Sequence, residues 1–503
     1  MSDRRTATAG LRRVAVLLAV LSTVAVGAAA PGDPPLIDAV KRADVAAVRS
    51  LLRQRVNVDG PGPDGTTALH WAATADHIEM TRLLLGAGAR ADVVNRYGVT
   101  PLALAAVNGS LPVTMALLEA GADAKRRVGD GETVLMAAAR TGRPAVARAL
   151  IERGADVNAR EPWHGETALM WAAGENHGDM VRLLAAHGAD LDAKSNVLEF
   201  PKVKVDLATM VTTALPRGGL TALMFAARQG ARDATLALLE QGAPPNTTDP
   251  DGTTALVVAI INAHYDVAAS LVEKGAGLDL ADTAGMTPLY AAVDMQRQDP
   301  MVNRPLPKAS GRLSARDVVA LLLDRGANAN AALRTPLLMR QHNGGDPQLG
   351  EGATPLMRAT KAGDMEMMRQ LLRRGADANV RARNGTTALT LAVARGGRGV
   401  SEETAMNSIG LLVESGADLQ AANDTGQTAL HLAVGRGDRI VRLLVERGAR
   451  LDAKDTFGRT ALDVALGVPG GRGRGGQPAG PGPVFESTAA LLKQLMSGAE
   501  GRP

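Results

Sequence analysis

Residues 64–94 read DGTTALHWAATADHIEMTRLLLGAGARADVV. A turn at Asp64-Gly65 leads into two amphipathic helices of about two turns each, and Gly88-Ala89 ends the second. A unit so small cannot bury its apolar face alone; it needs copies stacked beside it. The chain contains them. Leu69 recurs as Leu102, Leu135, Leu169, Leu223, Leu256, Leu289, Leu356, Leu389, Leu430 and Leu462. Five of these ten intervals are 33 residues, and Leu36 stands 33 before the first. A chain of 503 residues would ordinarily split into several globular domains, but a period near 33 points to an array that grows in one dimension.

Each copy carries its own punctuation. Thr67, Thr100, Thr287 and Thr354 stand where a helix begins, and threonine is a good N-cap. Pro101, Pro288 and Pro355 follow at the first helical position, where a missing N–H costs nothing. The leucine and the pairs Ala72-Ala73, Ala105-Ala106 and Ala226-Ala227 form the packed face, with alanine allowing close helix approach. Second helices supply Leu84-Leu85, Leu117-Leu118, Leu183-Leu184 and Leu371-Leu372. Glycines at 88, 121, 154, 188, 242, 275, 326, 375, 416 and 448 suit a left-handed C-terminal residue.

On these residues the chain resembles the ankyrin repeat family. The carrying motifs are TALHWAA (Thr67 to Ala73), TALHLAV (Thr428 to Val434), ATPLMRAT (Ala353 to Thr360) and ERGADVNA (Glu152 to Ala159), repeated about twelve times in register over roughly residues 35 to 497. The resemblance implies an all-α repeat solenoid of helix-turn-helix units with β-hairpin fingers and a concave binding face. It also implies protein–protein interaction without catalysis.

Composition agrees with a core of Ala and Leu: aromatic residues make up 2% of the chain. There is no cysteine, so neither disulfides nor thiolate metal sites can form. Residues 1–30 stand outside the repeat. Arg4, Arg5, Arg12 and Arg13 precede an apolar run from Val14 to Ala30, with Ala28-Ala29-Ala30 before Pro31. This is the layout of a signal peptide, and export to the periplasm or medium is the expectation. An uncleaved anchor is the alternative, although the run is short for a span. Cleavage would leave no membrane span. It would also lower the formal charge from +4 to +1, because the segment holds four Arg and one Asp. Such a balance does not call for nucleic acid.

The spacing divides the rest. Residues 31–62 form an N-terminal capping repeat, with Lys41, Arg42, Arg49 and Arg53 on its solvent side. Repeats follow at 63–194. A finger insertion covers 195–217, where the stretches from Val197 and from Val203 could form short strands. Repeats resume at 218–332, with an insertion at 296–315 between two helices of one unit. A second finger insertion spans 333–350, repeats continue at 351–466, and a smaller insertion runs from Gly396 to Thr404. A Gly/Pro-rich loop at 467–483 precedes a capping helix and tail at 484–503. Loops of such length in a compact fold are more often functional than accidental.

Catalytic signatures are missing. HExxH, GxSxG and the phosphate-loop pattern do not occur, and no carboxylate pair stands out from the repeat. Of the eight histidines, His70 and His431 sit in the TALH position, where the family's His makes structural hydrogen bonds; His77, His177 and His264 open second helices. His164, His187 and His342 complete the set. GRGRGG at 471–476 reads as flexible loop. No cofactor and no metal is expected.

The resemblance places the two positions after the Ala-Ala pair on the concave groove. Here they hold Arg140, Arg228, Gln229, Lys361, Arg395 and Arg436, with Glu175 and Asp294 as the acids. Finger tips hold Tyr97, Trp163, Arg217, Arg383 and Phe457. Aromatic residues and Arg anchor interfaces, but Arg stems also simply cover apolar surface. The expected role is a scaffold that binds a protein or peptide carrying an acidic or carboxylate-bearing segment. The alternatives are an accessory or tethering subunit of an envelope enzyme complex and a secreted host-directed effector.

Overall fold

The structure is a computed structural model and describes residues 32–198, 218–296, 307–335, 349–394, 400–470 and 481–499. The leader expected over 1–30, residues 199–217 of the first finger insertion with the strands proposed there, Arg217, Arg395, His342 and the 471–476 run lie outside them. So do residues 297–306 and 336–348 of the two later insertions.

The described residues form an all-α repeat solenoid of twelve helix pairs, falling into two compact units, Met1–Asp156 and Val157–Pro503. The first unit holds four pairs, beginning with Pro35–Lys41 and Val45–Arg53 and ending with Val134–Arg140 and Pro144–Glu152. The second holds eight, from Ala168–Gly174 and Gly178–Ala186 to Ala461–Ala465 and Glu486–Ala499. Within each unit first helices stack on first helices and second on second.

A helix such as Ala68–Thr74 has seven residues and could not persist alone in water. Two features hold it. The first is capping: Thr100, Thr133, Thr254 and Thr354 each accept the N–H three residues on, at 3.1 to 3.4 Å. Such caps contribute about 1 kcal/mol apiece. The second is burial. Leu69, Leu135, Leu256 and Leu289 are fully buried, as are Ala72, Ala73, Ala105 and Ala106, and the second helices contribute Leu84, Leu117, Leu238 and Leu444. The ten glycines that close the second helices have φ between 85 and 101°, the left-handed region where a side chain would be strained.

The insertions attach without interrupting this pattern. Helices Pro288–Gln296 and Ala315–Asp324 flank the excess between them and pack as a pair. The smaller insertion, expected to reach Thr404, ends sooner. Ser401 accepts the Thr404 N–H at 3.1 Å and caps the helix Glu402–Glu414, whose first turn carries Glu402 and Glu403. Negative charge at that end favours the helix. The unit takes up part of its extra residues as helix, 13 residues against the 9 of Met365–Arg373. No helix among the described residues is long and apolar enough to cross a membrane.

Candidate functional site

The fingers are built on one repeated bond. At each base an N–H donates to a carbonyl shortly downstream: Asn95 to Val99, Asp249 to Thr253, Asp282 to Met286, Asn423 to Gln427 and Asp455 to Arg459. The residue at that point also caps the turn. Asn95 Oδ1 accepts from Tyr97 and Val99, Asp282 Oδ1 from Ala284 and Met286, and Asp455 Oδ1 from Phe457 and Arg459, all near 3 Å. Neighbouring fingers are joined by single backbone bonds, among them Thr283 N–H to Asp251, Arg383 to Glu351 and Thr456 to Thr425.

The finger at residues 161–166 departs from this pattern in a way the sequence reading missed. Its turn glycine, Gly165, stands four residues after Glu161, where Gly98, Gly285 and Gly458 stand three after their caps. A longer acid meets the longer turn. The buried Glu161 carboxylate accepts the N–H groups of Trp163 (2.7 Å), His164 (2.7 Å) and Glu166 (3.0 Å). Asp has one methylene fewer and spans one residue fewer. The signal was therefore available, as a spacing of four with Glu in place of Asp or Asn. The result is an indole held outward by a fixed turn.

Glu166 sits beneath that turn. Burial pushes its carboxyl above the ordinary range, and Glu161 adds to the shift, while His164, Arg228 and the Trp171 indole pull the other way. Its role too went unread in the sequence, since a half-buried Glu in a finger looks like any surface acid.

The chain has three Trp, three Tyr and four Phe, and among the described residues one of each is exposed at a finger tip: Trp163 (66%), Tyr97 (59%) and Phe457 (50%). Arg383 is also at a tip, with its side chain exposed and paired to Glu351 at 2.7 Å. On the first-helix ends, Arg228 and Gln229 are exposed, and the Arg228 guanidinium lies 4.7 Å over the Phe225 ring. Lys361 is half-buried. Arg140 lies 3.7 Å from Glu132. Arg436 is half-buried and donates through Nε to the Val393 carbonyl at 2.9 Å. Asp294 is paired with Arg358, a residue the groove reading did not include. These side chains therefore differ in kind: Arg228, Gln229 and Arg383 face water, whereas Arg140 and Arg436 serve the stack.

The histidines are structural where the repeat places them. His70 Nδ1 accepts the Thr67 N–H at 3.1 Å while its Nε2 contacts the Val99 carbonyl at 3.0 Å. His431 repeats both bonds with Thr428 and Arg459. A carbonyl only accepts, so Nε2 carries the proton in each. Burial lowers the His70 pKa and keeps the ring neutral, against the opposing pull of the Val99 bond. His77, His177 and His264 stand at the N-caps of second helices. Among the described residues no three His, Asp or Glu side chains gather as a metal site requires.

A profile of ankyrin repeats in three copies matches residues 36–128, 121–195, 223–333, 315–403 and 399–468. The chain belongs to the ankyrin repeat family. Its repeats are of a kind that mediates protein–protein interaction, on a fold that typically serves as a non-catalytic scaffold. Among solved structures, the human ASB11 ankyrin repeat domain is similar at 25% identity, with a TM-score of 0.41, covering 49% of this chain and 99% of that one. No curated protein matches in a sequence comparison.

Proposed function

We propose that the protein is an exported scaffold whose second unit holds a partner protein or peptide on its first-helix ends and fingers, through an acidic or carboxylate-bearing segment of that partner. The observation that carries this reading is Arg228. Its guanidinium is stacked 4.7 Å over Phe225 while the residue stays exposed, so a fork suited to a carboxylate is held in place at the surface. Groups fixed before binding lose less entropy on association. The exposed indole of Trp163, fixed by Glu161, supplies an anchor of the type that dominates interfaces. Arg383 extends the same chemistry along the fingers.

Pull-down with the mature protein followed by mass spectrometry identifies the partner, and titration at low and high salt then tests the chemistry. Affinity falls with salt, because screening acts within roughly 10 Å at 0.1 M. Arg228→Glu combined with Arg383→Glu weakens binding while the far-ultraviolet circular dichroism stays that of the parent. Unchanged affinity in that variant, together with indifference to salt, overturns the reading. In the same proposal residues 1–30 direct export and are removed near Ala30. N-terminal sequencing from the expressing cell checks this, and an intact Met1 on soluble cytoplasmic protein would refute it.

A further inference from the structure

The described part of the insertion between helices Pro288–Gln296 and Ala315–Asp324 does not stand off the repeat; it is tied down on the preceding repeat, and through it to the one before. The Ser310 N–H meets the Ala263 carbonyl at 3.4 Å, and the Arg312 N–H donates to Asp266 Oδ2 at 2.7 Å. A Cβ on Gly311 would come within 1.2 Å of the same oxygen, so the strap crosses the Asp266 carboxylate where only glycine fits. His264 makes the third tie. Its Nε2 donates to the Arg228 carbonyl at 3.1 Å, which leaves Nδ1 to accept the Ser310 hydroxyl at 2.7 Å. The ring packs on Gly230, where a Cβ would lie 2.5 Å from Nδ1. One imidazole thus joins the helix end that carries Arg228 to the strap.

The join gathers charge. Arg228 and Arg232 flank Gly230, Lys308 and Arg312 flank Ser310, and all four are exposed. The Glu166 carboxyl already feels the charge of Arg228. Two further acids face the four cations: Asp266, taken up by the Arg312 N–H, and Asp233, which accepts from Asn176 at 3.4 Å. Neither makes an ion pair with Arg232, Lys308 or Arg312. We propose that Lys308 and Arg312 of the strap, with Arg228 and Arg232, form one basic rim that receives the partner's acidic segment, and that His264 is the positioning residue that holds the two halves together. The proposal deepens the function above and rests on it. The strap exists to bring two cations from a distant repeat to Arg228.

The test is fluorescence anisotropy with a fluorescein-labelled oligoglutamate peptide at low salt, on the full mature chain. The parent binds and releases the probe as salt rises. Lys308→Glu with Arg312→Glu weakens binding roughly tenfold or more, as expected when rim charges are reversed. Gly311→Val changes no charge but lifts the strap from Asp266, and it weakens binding as well. Unchanged circular dichroism and urea midpoint show that the fold persists in both variants. If Arg228→Glu weakens binding while both strap variants bind like the parent, the functional reading stands and the shared rim is wrong. If the strap variants weaken binding and Arg228→Glu does not, the shared rim is again wrong. A parent that ignores the probe, or binds it regardless of salt, overturns both proposals.

Discussion

In the first unit Leu36, Leu69, Leu102 and Leu135 follow one another at 33 residues, whereas in the second unit Leu169 and Leu223 are 54 apart and Leu289 and Leu356 are 67 apart. The bonds at the finger bases are the same in both. Asn95 closes on Val99 in the regular region, and in the irregular one Ser195 closes on Leu220 and Leu333 on Ala353. Ser195 even repeats the side-chain cap, accepting the Leu220 N–H through Oγ at 3.1 Å. The contrast shows that the repeat is measured from the base bond to the helix cap, whatever the length of chain between the two bonded residues.

If that is right, the cores of the two regions are equally demanding. Leu135→Ala and Leu256→Ala, both at fully buried positions, each destabilise by roughly 2–5 kcal/mol, while Arg228→Ala stays within about 0.5 kcal/mol. Urea unfolding measures this, and equal midpoints for Leu256→Ala and Arg228→Ala would show the repeat register to be wrong. A smaller effect separates the fingers. Glu161→Ala strands three N–H groups and costs roughly 1–3 kcal/mol, more than Asn95→Ala, which strands two. Amide exchange of Trp163, His164 and Glu166 follows the loss directly; protection equal to the parent would mean that the carboxylate does not hold the turn. Smaller again is the effect of replacing residues 199–217 by a short Gly-Ser link. The base bond between Ser195 and Leu220 persists, and the urea midpoint moves by less than about 1 kcal/mol, since loop closure varies slowly with length. A large loss of stability would show that the insertion carries part of the core.

The last prediction sets two titrating groups against each other. His70 is held neutral by burial, with its pKa below 6.5. Between that folded value and the unfolded value of 6.5 the unfolded chain binds more protons, so stability is full above the window and declines as pH falls through it. His70→Gln removes this component. Glu166, raised above 4.5, behaves oppositely: its contribution is full below 4.5 and is lost as pH rises through the folded value. Glu166→Gln therefore gains stability relative to the parent on going from acid to neutral pH. Parallel pH–stability curves for parent and variants would contradict both assignments.

What the sequence disclosed follows from this same frame. The capping threonines, the αL glycines and the histidines His70 and His431 each act through partners within their own repeat or at the same position of the next, so a period of 33 exposes them. The contacts of Arg436 and Asp294 were not legible, because their partners, the Val393 carbonyl and Arg358, lie a repeat or more away at positions the period does not mark. The strap at Ser310 was invisible for the same reason, since an insertion has no counterpart in other repeats. Glu161 is intermediate: its spacing to Gly165 was legible, but its three bonds depend on the turn it makes.

The base bond also bears on how such chains change over time. A finger that spans four residues between Asp249 and Thr253 and one that spans 25 between Ser195 and Leu220 fit the same frame. The tip is thus a socket: new sequence can be inserted, lengthened or exchanged there, and selection can act on what it binds while the stack beneath goes on folding as before.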